Sequence, residues 1–168
     1  MRIFTLLVGS LFLGSCAGYH LGDSKPAPLA HVNSITIPMF KNSTLHPRAE
    51  VLATSAAANA LVQDGTYRIA PLGQADAVLE GHLSNITYTA LRGDRLDTQR
   101  PEELLNVVTL QWVLRDAKDP TKVLDAGTTT GNSQLFATSN LQTARNNALP
   151  EALERAAEAV VSRISNGL

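Results

Sequence analysis

Residues 104–115, LLNVVTLQWVLR, leave fewer folds open than any other part of this chain. Val108, Leu110, Trp112 and Leu114 fall on one side of an alternating pattern, with Thr109, Gln111 and Arg115 on the other. Side chains along a strand point to opposite faces in turn, so the segment predicts a strand that is dry on one face and wet on the other. A sheet holding such a strand must be covered on its dry face, and other elements have to supply the cover.

The flanking segments supply both strands and cover. Ile35, Ile37 and Phe40 around Pro38 read as a first strand, which the proline places at an edge or a strand end. After the turn at Asn42-Ser43-Thr44, Pro47 suits the opening of a helix that runs to about residue 63 and stops at Gly65. Val51, Leu52, Ala58, Leu61 and Val62 recur along it at helical spacing, and its many Ala and Ser residues permit close approach to a sheet. Residues 67–70 read as a short strand and 76–90 as a long one. In the long strand Leu79 and Leu83 share a face while Ile86 and Tyr88 take the other, so Gly81 or the Ser84-Asn85 pair marks a bulge. Residues 123–136 form a Gly- and Thr-rich return strand, in which Gly127 and Gly131 read as bulges.

A long helix follows, capped by Ser139 or Asn140 and ended by Gly167, with Pro150 expected to kink or split it. Its stripe is Leu141, Ala148, Leu149, Ala152, Leu153, Ala156, Val160 and Ile164. The order β-α-β-β-β-β-α predicts an α+β domain. Two helices are expected on one face of a mostly antiparallel four-stranded sheet, with room for a short extra strand.

Upstream of this domain the chain opens MRIFTLLVGSLFLGSC, and Cys16 is its single cysteine. One basic residue, Arg2, precedes an apolar run at 3–13 and small residues at 14–15, the grammar of a secretory signal. The run is about half the roughly 20 residues a spanning helix needs. Leu13-Gly14-Ser15-Cys16 resembles the bacterial lipobox, whose cysteine is diacylated and becomes the new N-terminus. Small side chains admit the backbone to a peptidase cleft, and the thiol is the nucleophile that takes the lipid. A catalytic thiol wants an electropositive setting and a histidine partner, and Cys16 is followed by Ala17 and Gly18. The chain therefore divides into a signal peptide at 1–15, a lipidated N-terminus and polar tether at 16–31, and one domain at 32–168. Three acyl chains, at about 0.8 kcal/mol per buried methylene, exceed what stable anchoring requires. An aspartate after the cysteine would resemble an inner-membrane retention signal; Ala17 points to the outer membrane instead.

Charge excludes several partners. Loss of Arg2 leaves 14 − 1 = 13 basic residues against 15 acidic ones, so no basic excess points to nucleic acid. His20, His31, His46 and His82 are scattered, without metal-ligand spacing. Glu80 and His82 share a strand face, more simply as cross-strand surface residues than as a dyad. There is no G-x-S-x-G elbow and no Gly-rich phosphate loop between a strand and a helix. No catalytic site, metal site or cofactor is expected beyond the covalent lipid at Cys16.

Several blocks together are similar to the LptE family of lipopolysaccharide-assembly lipoproteins. They are Cys16-Ala17-Gly18-Tyr19-His20-Leu21-Gly22, ITIPMFKNSTLHPRAE (35–50), DGTYRIA (64–70), ADAVLEGHLSNITY (75–88) and NNALPEALERAAEAVVSRI (146–164). The chain departs from the family pattern in the inserted Ala17 and in lacking a dense basic cluster. The resemblance implies a non-enzymatic lipoprotein at the periplasmic face of the outer membrane. Such a protein binds lipopolysaccharide, plugs the LptD β-barrel and helps that barrel assemble.

For lipid contact, the segment RGDRLDTQRPEE (92–103) carries Arg92, Arg95 and Arg100 among four acids. It reads either as a solvated hairpin loop or as a site for a phosphorylated glycolipid, since arginine forks match phosphate geometry. Lys41 and Arg48 form a second candidate pair near the first strand–helix turn. The alternative function is a lipid-anchored regulator of a cell-wall synthase, which the short tether disfavours. A periplasmic hydrolase, the third reading, lacks a nucleophile–base pair.

Overall fold

Pro38 decides how the sheet begins. In a computed structural model that describes residues 25–93, 101–136 and 140–167, β1 (Ser34–Thr36) and β2 (Lys41–Asn42) both run parallel to β4 (Ala77–Gly93). Ile35 pairs with Ala77 and Lys41 with His82, so the two are one strand broken where proline withholds an amide donor. The interruption turns Phe40 inward, and its ring fills the space above Gly81 that a Cβ would need. Helix α1 (Ala49–Asp64) then returns the chain so that β3 (Arg68–Ile69) pairs parallel with β1. Asp76 fixes this edge. Its carboxylate accepts from the amides of Asn33 and Ser34 and from the Ser34 hydroxyl, each at 3.0 Å. These bonds, the Asn33 amide foremost, hold its carboxyl below the usual carboxylate range.

The long strands follow the alternation. β4, β5 (Pro101–Asp116) and β6 (Val123–Phe136) are antiparallel neighbours, giving the order β3-β1-β4-β5-β6 with β2 beside β4. The sheet is thus mixed, with six strands among the described residues, where four mostly antiparallel ones and a possible short extra strand were expected. The antiparallel expectation holds for the three long strands β4, β5 and β6. The parallel part comes from the β1–α1–β3 crossover, whose strands of two or three residues are too short to show a period. The β4 register shifts between Leu83 and Asn85, with the Ser84 hydroxyl donating to the Thr109 carbonyl at 3.2 Å. That bulge returns Ile86 and Tyr88 to the face of Leu79 and Leu83.

Both helices cover this face. Helix α2 (Leu141–Asn166) buries its expected stripe, with Leu141 only partly covered, and Ala157 and Val161 are buried beside it. The Asn140 side chain accepts the Thr143 amide at 3.1 Å, confirming the cap. The helix is not split at Pro150 and continues to Asn166; proline offers no amide to the Asn146 carbonyl, and Asn146 is exposed. Helix α1 departs further from expectation. It starts at Ala49, with Pro47 in the preceding turn, and it buries Ala49, Ala53, Ala56, Ala57, Ala60 and Leu61. Val51, Leu52 and Val62 face outward, Val62 at 67% exposure. Alanines let α1 approach α2 and the sheet closely, and this outweighs the larger apolar area of the valines.

Neither glycine of β6 is a bulge, and the register runs unshifted through both. Gly127 lies under the Trp112 indole, and Gly131 lies under the backbone of α2 at Ala152 and Ala156. The segment expected to be a free tether is packed from Lys25 onward. Ala27–Leu29 form a 3-10 turn, Leu29 is 1% exposed, and Lys25 Nζ donates to the Val32 carbonyl at 2.8 Å.

Candidate functional site

Asn42 organises the loop that leads into α1. Its amide nitrogen donates to the His46 carbonyl at 2.9 Å and to Glu50 Oε2 at 2.8 Å. Its oxygen accepts from the Thr44 amide and the Thr44 hydroxyl, both at 2.8 Å. The loop so held closes through Arg48 in the left-handed region (φ 65°) and leaves Leu45 fully exposed at its tip. It also aims His46 at β4, where Nε2 lies 3.2 Å from the Tyr88 hydroxyl. The Arg145 guanidinium of α2 stacks 4.7 Å over the Tyr88 ring. Burial, and secondarily the Arg145 charge, lower the His46 pKa, so its imidazole is neutral near pH 7. Burial raises the Tyr88 phenol against the opposing pull of Arg145. Arg145 is therefore the standing charge of this cluster.

On the open face of the sheet, a groove of about 630 Å³ separates the 38–41 strap from β4, β5 and β6. Pro38, Met39 and Val113 give it apolar walls, and Lys41, His82 and Gln111 give it polar ones. Glu80 and His82 do not act on each other here. Glu80 pairs with Arg115 at 3.2 Å and His82 contacts the Ser43 hydroxyl at 2.7 Å, each a surface interaction. Among the described residues no three His, Cys, Asp or Glu side chains gather as metal ligands, and no helix is long and apolar enough to cross a membrane.

The sequence-predicted residues are placed as follows. Lys41 is exposed and lines the groove, and Arg48 is exposed at the entry to α1, so the two bracket the 42–47 loop. Arg92 sits in β4 opposite Glu103, between two register shifts. Arg95, Arg100 and Cys16 lie outside the described residues. The structure adds His46, Tyr88 and Arg145, which sequence reasoning missed. They come from a loop, a strand and a helix far apart in the chain, and the one available signal was a cation set between Ala144 and Ala148 near the buried stripe.

The family model described as LptE, lipopolysaccharide-assembly, matches residues 32–164. No curated protein sequence matches the chain. Among solved structures, a minor lipoprotein from Acinetobacter baumannii superposes with a TM-score of 0.54 at 12% identity, over 81% of this chain and 94% of that one. A protein from Xanthomonas campestris gives 0.57 at 12% identity, over 80% and 86%. A hypothetical protein from Chlamydia trachomatis gives 0.57 at 8% identity, over 80% and 96%. At these identities the likeness is one of fold.

Proposed function

The chain belongs to the LptE family of lipopolysaccharide assembly, and from that premise we propose that it is a lipid-anchored subunit of the lipopolysaccharide translocon. It sits at the periplasmic face of the outer membrane, plugs and helps assemble an LptD-type β-barrel, and binds lipopolysaccharide on its way to the cell surface. The role is one of binding and scaffolding rather than catalysis. The family match across 32–164 is the observation that carries this reading.

Two physical points support it. Packing from Lys25 onward leaves residues 16–24 as the link to an acylated Cys16. At ~3.3 Å per residue those nine positions span at most about 30 Å, which keeps the domain close to its own membrane. That reach is short for an enzyme across the periplasm. The outer face of β6, with Thr128, Thr130, Asn132 and Gln134 exposed, is neutral and polar, as a surface against a water-filled barrel lumen should be.

Purification through a C-terminal tag from detergent-solubilised outer membranes tests the proposal. A large β-barrel at near-equal stoichiometry, with the chain's own N-terminus at an acylated Cys16 by mass spectrometry, is the expected result. A cell-wall synthase in place of the barrel, or an unacylated N-terminus elsewhere, overturns it.

For lipid contact we propose Arg92, Arg95 and Arg100, with Lys41 and Arg48, which bracket the 42–47 loop, as a second candidate pair. Guanidinium forks bind phosphate through paired, charge-assisted hydrogen bonds. Changing all three arginines to alanine should weaken salt-sensitive lipopolysaccharide binding by about tenfold or more, roughly 1.4 kcal/mol. Unchanged binding by the triple variant would remove the three from the site.

A further inference from the structure

The groove between the 38–41 strap and the open face of the sheet holds about 630 Å³, inside the roughly 300–1,000 Å³ usual for small-molecule sites. Most of its hydrogen-bonding groups are already engaged. Along its floor, β5 is laddered to β4 on one side and to β6 on the other. His82 is held by the Ser43 hydroxyl, and Glu80 by Arg115. On the strap, Pro38 has no amide hydrogen, and the Phe40 amide donates to the Thr54 hydroxyl at 3.0 Å. Met39, 60% exposed, joins Pro38, Val113 and Ala126 as apolar lining. One charge is uncommitted: Lys41 is exposed at the groove and pairs with no acid among the described residues.

We propose that this groove seats an acyl chain of lipopolysaccharide, with Lys41 taking a phosphate at its rim. A hydrocarbon tail asks for no hydrogen bonds, so it suits apolar walls over a floor whose donors and acceptors are spoken for. An extended peptide would give up water there and find few partners for its own amides and carbonyls. Charge complementarity sets the sign of the headgroup. The carboxylate that lines the groove, Glu80, is occupied by Arg115, so an anion beside Lys41 meets no uncompensated acid. The source of the tail rests on the lipopolysaccharide reading above, which this site deepens. The acyl part of the ligand lies on the open face of the sheet, apart from the arginines of the 92–103 segment.

Binding by the full chain, purified and moved from detergent into amphipol, tests the site with two probes. One is lipid A, the acylated and phosphorylated disaccharide of lipopolysaccharide; the other is the same disaccharide stripped of its acyl chains. Ala126→Trp and Thr128→Trp, at exposed positions lining the groove, put an indole where the tail would lie. Each should weaken lipid A binding about fivefold or more and leave the stripped disaccharide unchanged. Ser55→Trp, exposed on α1, should bind both probes as the parent does. Lys41→Gln should weaken lipid A about two- to fivefold, as loss of an exposed ion pair does, and Lys41→Arg should restore it. The proposal is overturned if both groove tryptophans melt like the parent and bind lipid A equally well, or if they weaken the stripped disaccharide as much. It is equally overturned if Lys41→Gln changes nothing, or if the groove tryptophans abolish recovery of the β-barrel while lipid A binding stays intact, which would give the groove to a protein. A parent that binds neither probe overturns the lipopolysaccharide reading itself; a parent that binds lipid A as well as its groove variants do overturns the groove alone.

Discussion

A Gly131→Ala chain should lose about 3 kcal/mol or more of stability, at the upper end of what overpacking costs. Removing a glycine from a strand interior ordinarily has the opposite sign, since alanine there is favoured by about 0.5–1 kcal/mol. The sign therefore isolates the contact. A Cβ at Gly131 runs into the Ala152 carbonyl oxygen and the Ala156 amide nitrogen, with the Ala156 Cβ 3.0 Å away. Two of these three atoms are helix backbone, so no rotamer change relieves the clash and α2 itself has to lift.

Lifting strains every polar tie between α2 and β6. The Thr129 hydroxyl donates to the Ala156 carbonyl at 3.1 Å, the Ser133 hydroxyl to the Ala148 carbonyl at 2.7 Å, and Arg155 reaches Asn132. Gly127→Ala is the matched control. The atoms nearest its Cβ belong to the Trp112 ring, the closest at 3.0 Å, and a side chain can tilt where a helix backbone cannot. Its loss should be about half as large. Urea unfolding followed by far-ultraviolet circular dichroism reads both. A Gly131→Ala midpoint equal to or above that of the parent would mean that α2 does not rest on β6 at this point.

The same two glycines show how much of the fold was legible in the sequence. Clean alternation located β5, and its slip in β4 signalled a bulge, which the structure puts at Ser84 rather than at Gly81, the other position the pattern allowed. The absence of a side chain at Gly127 and Gly131 was equally visible, but sequence does not say what fills the vacated space. An indole and a helix backbone fill it, and neither requires a bulge. Helix α1 failed for a related reason. Hydropathy ranks Val51, Leu52 and Val62 above alanine, whereas a helix that packs beside α2 and on the sheet at once is chosen for thinness. In the candidate site, Lys41 and Arg48 were recognisable as cations beside a turn. The His46–Tyr88–Arg145 cluster was not, since its members meet only once the sheet has formed and α2 has docked across it.

Trp112→Ala should cost about 3–5 kcal/mol, the range for deleting a large aromatic from a core. Trp112 is 2% exposed, and its neighbours across the sheet are Gly81 on β4 and Gly127 on β6. With glycine on both sides the indole has room to lie against the sheet rather than stand off it, while the Phe40 ring occupies the space over Gly81. Removing the indole leaves a void that neither glycine can fill, so little collapse offsets the lost contacts. The midpoint of thermal unfolding should fall by about 10 °C, at roughly 2–4 °C per kcal/mol for a chain of this size. Trp112→Phe should cost much less. It keeps most of the apolar area and removes the Nε1 hydrogen, which is buried without a hydrogen-bond partner. Because Trp112 is the single tryptophan, parent unfolding is readable from its own fluorescence and the variants from circular dichroism. A loss under about 1 kcal/mol for the alanine variant would place the indole outside the core and reverse the assignment of dry and wet faces to β5. A loss in the expected range fixes the helices on the Trp112 side and leaves the Gln111–Thr128 side of the sheet as the surface open to a partner.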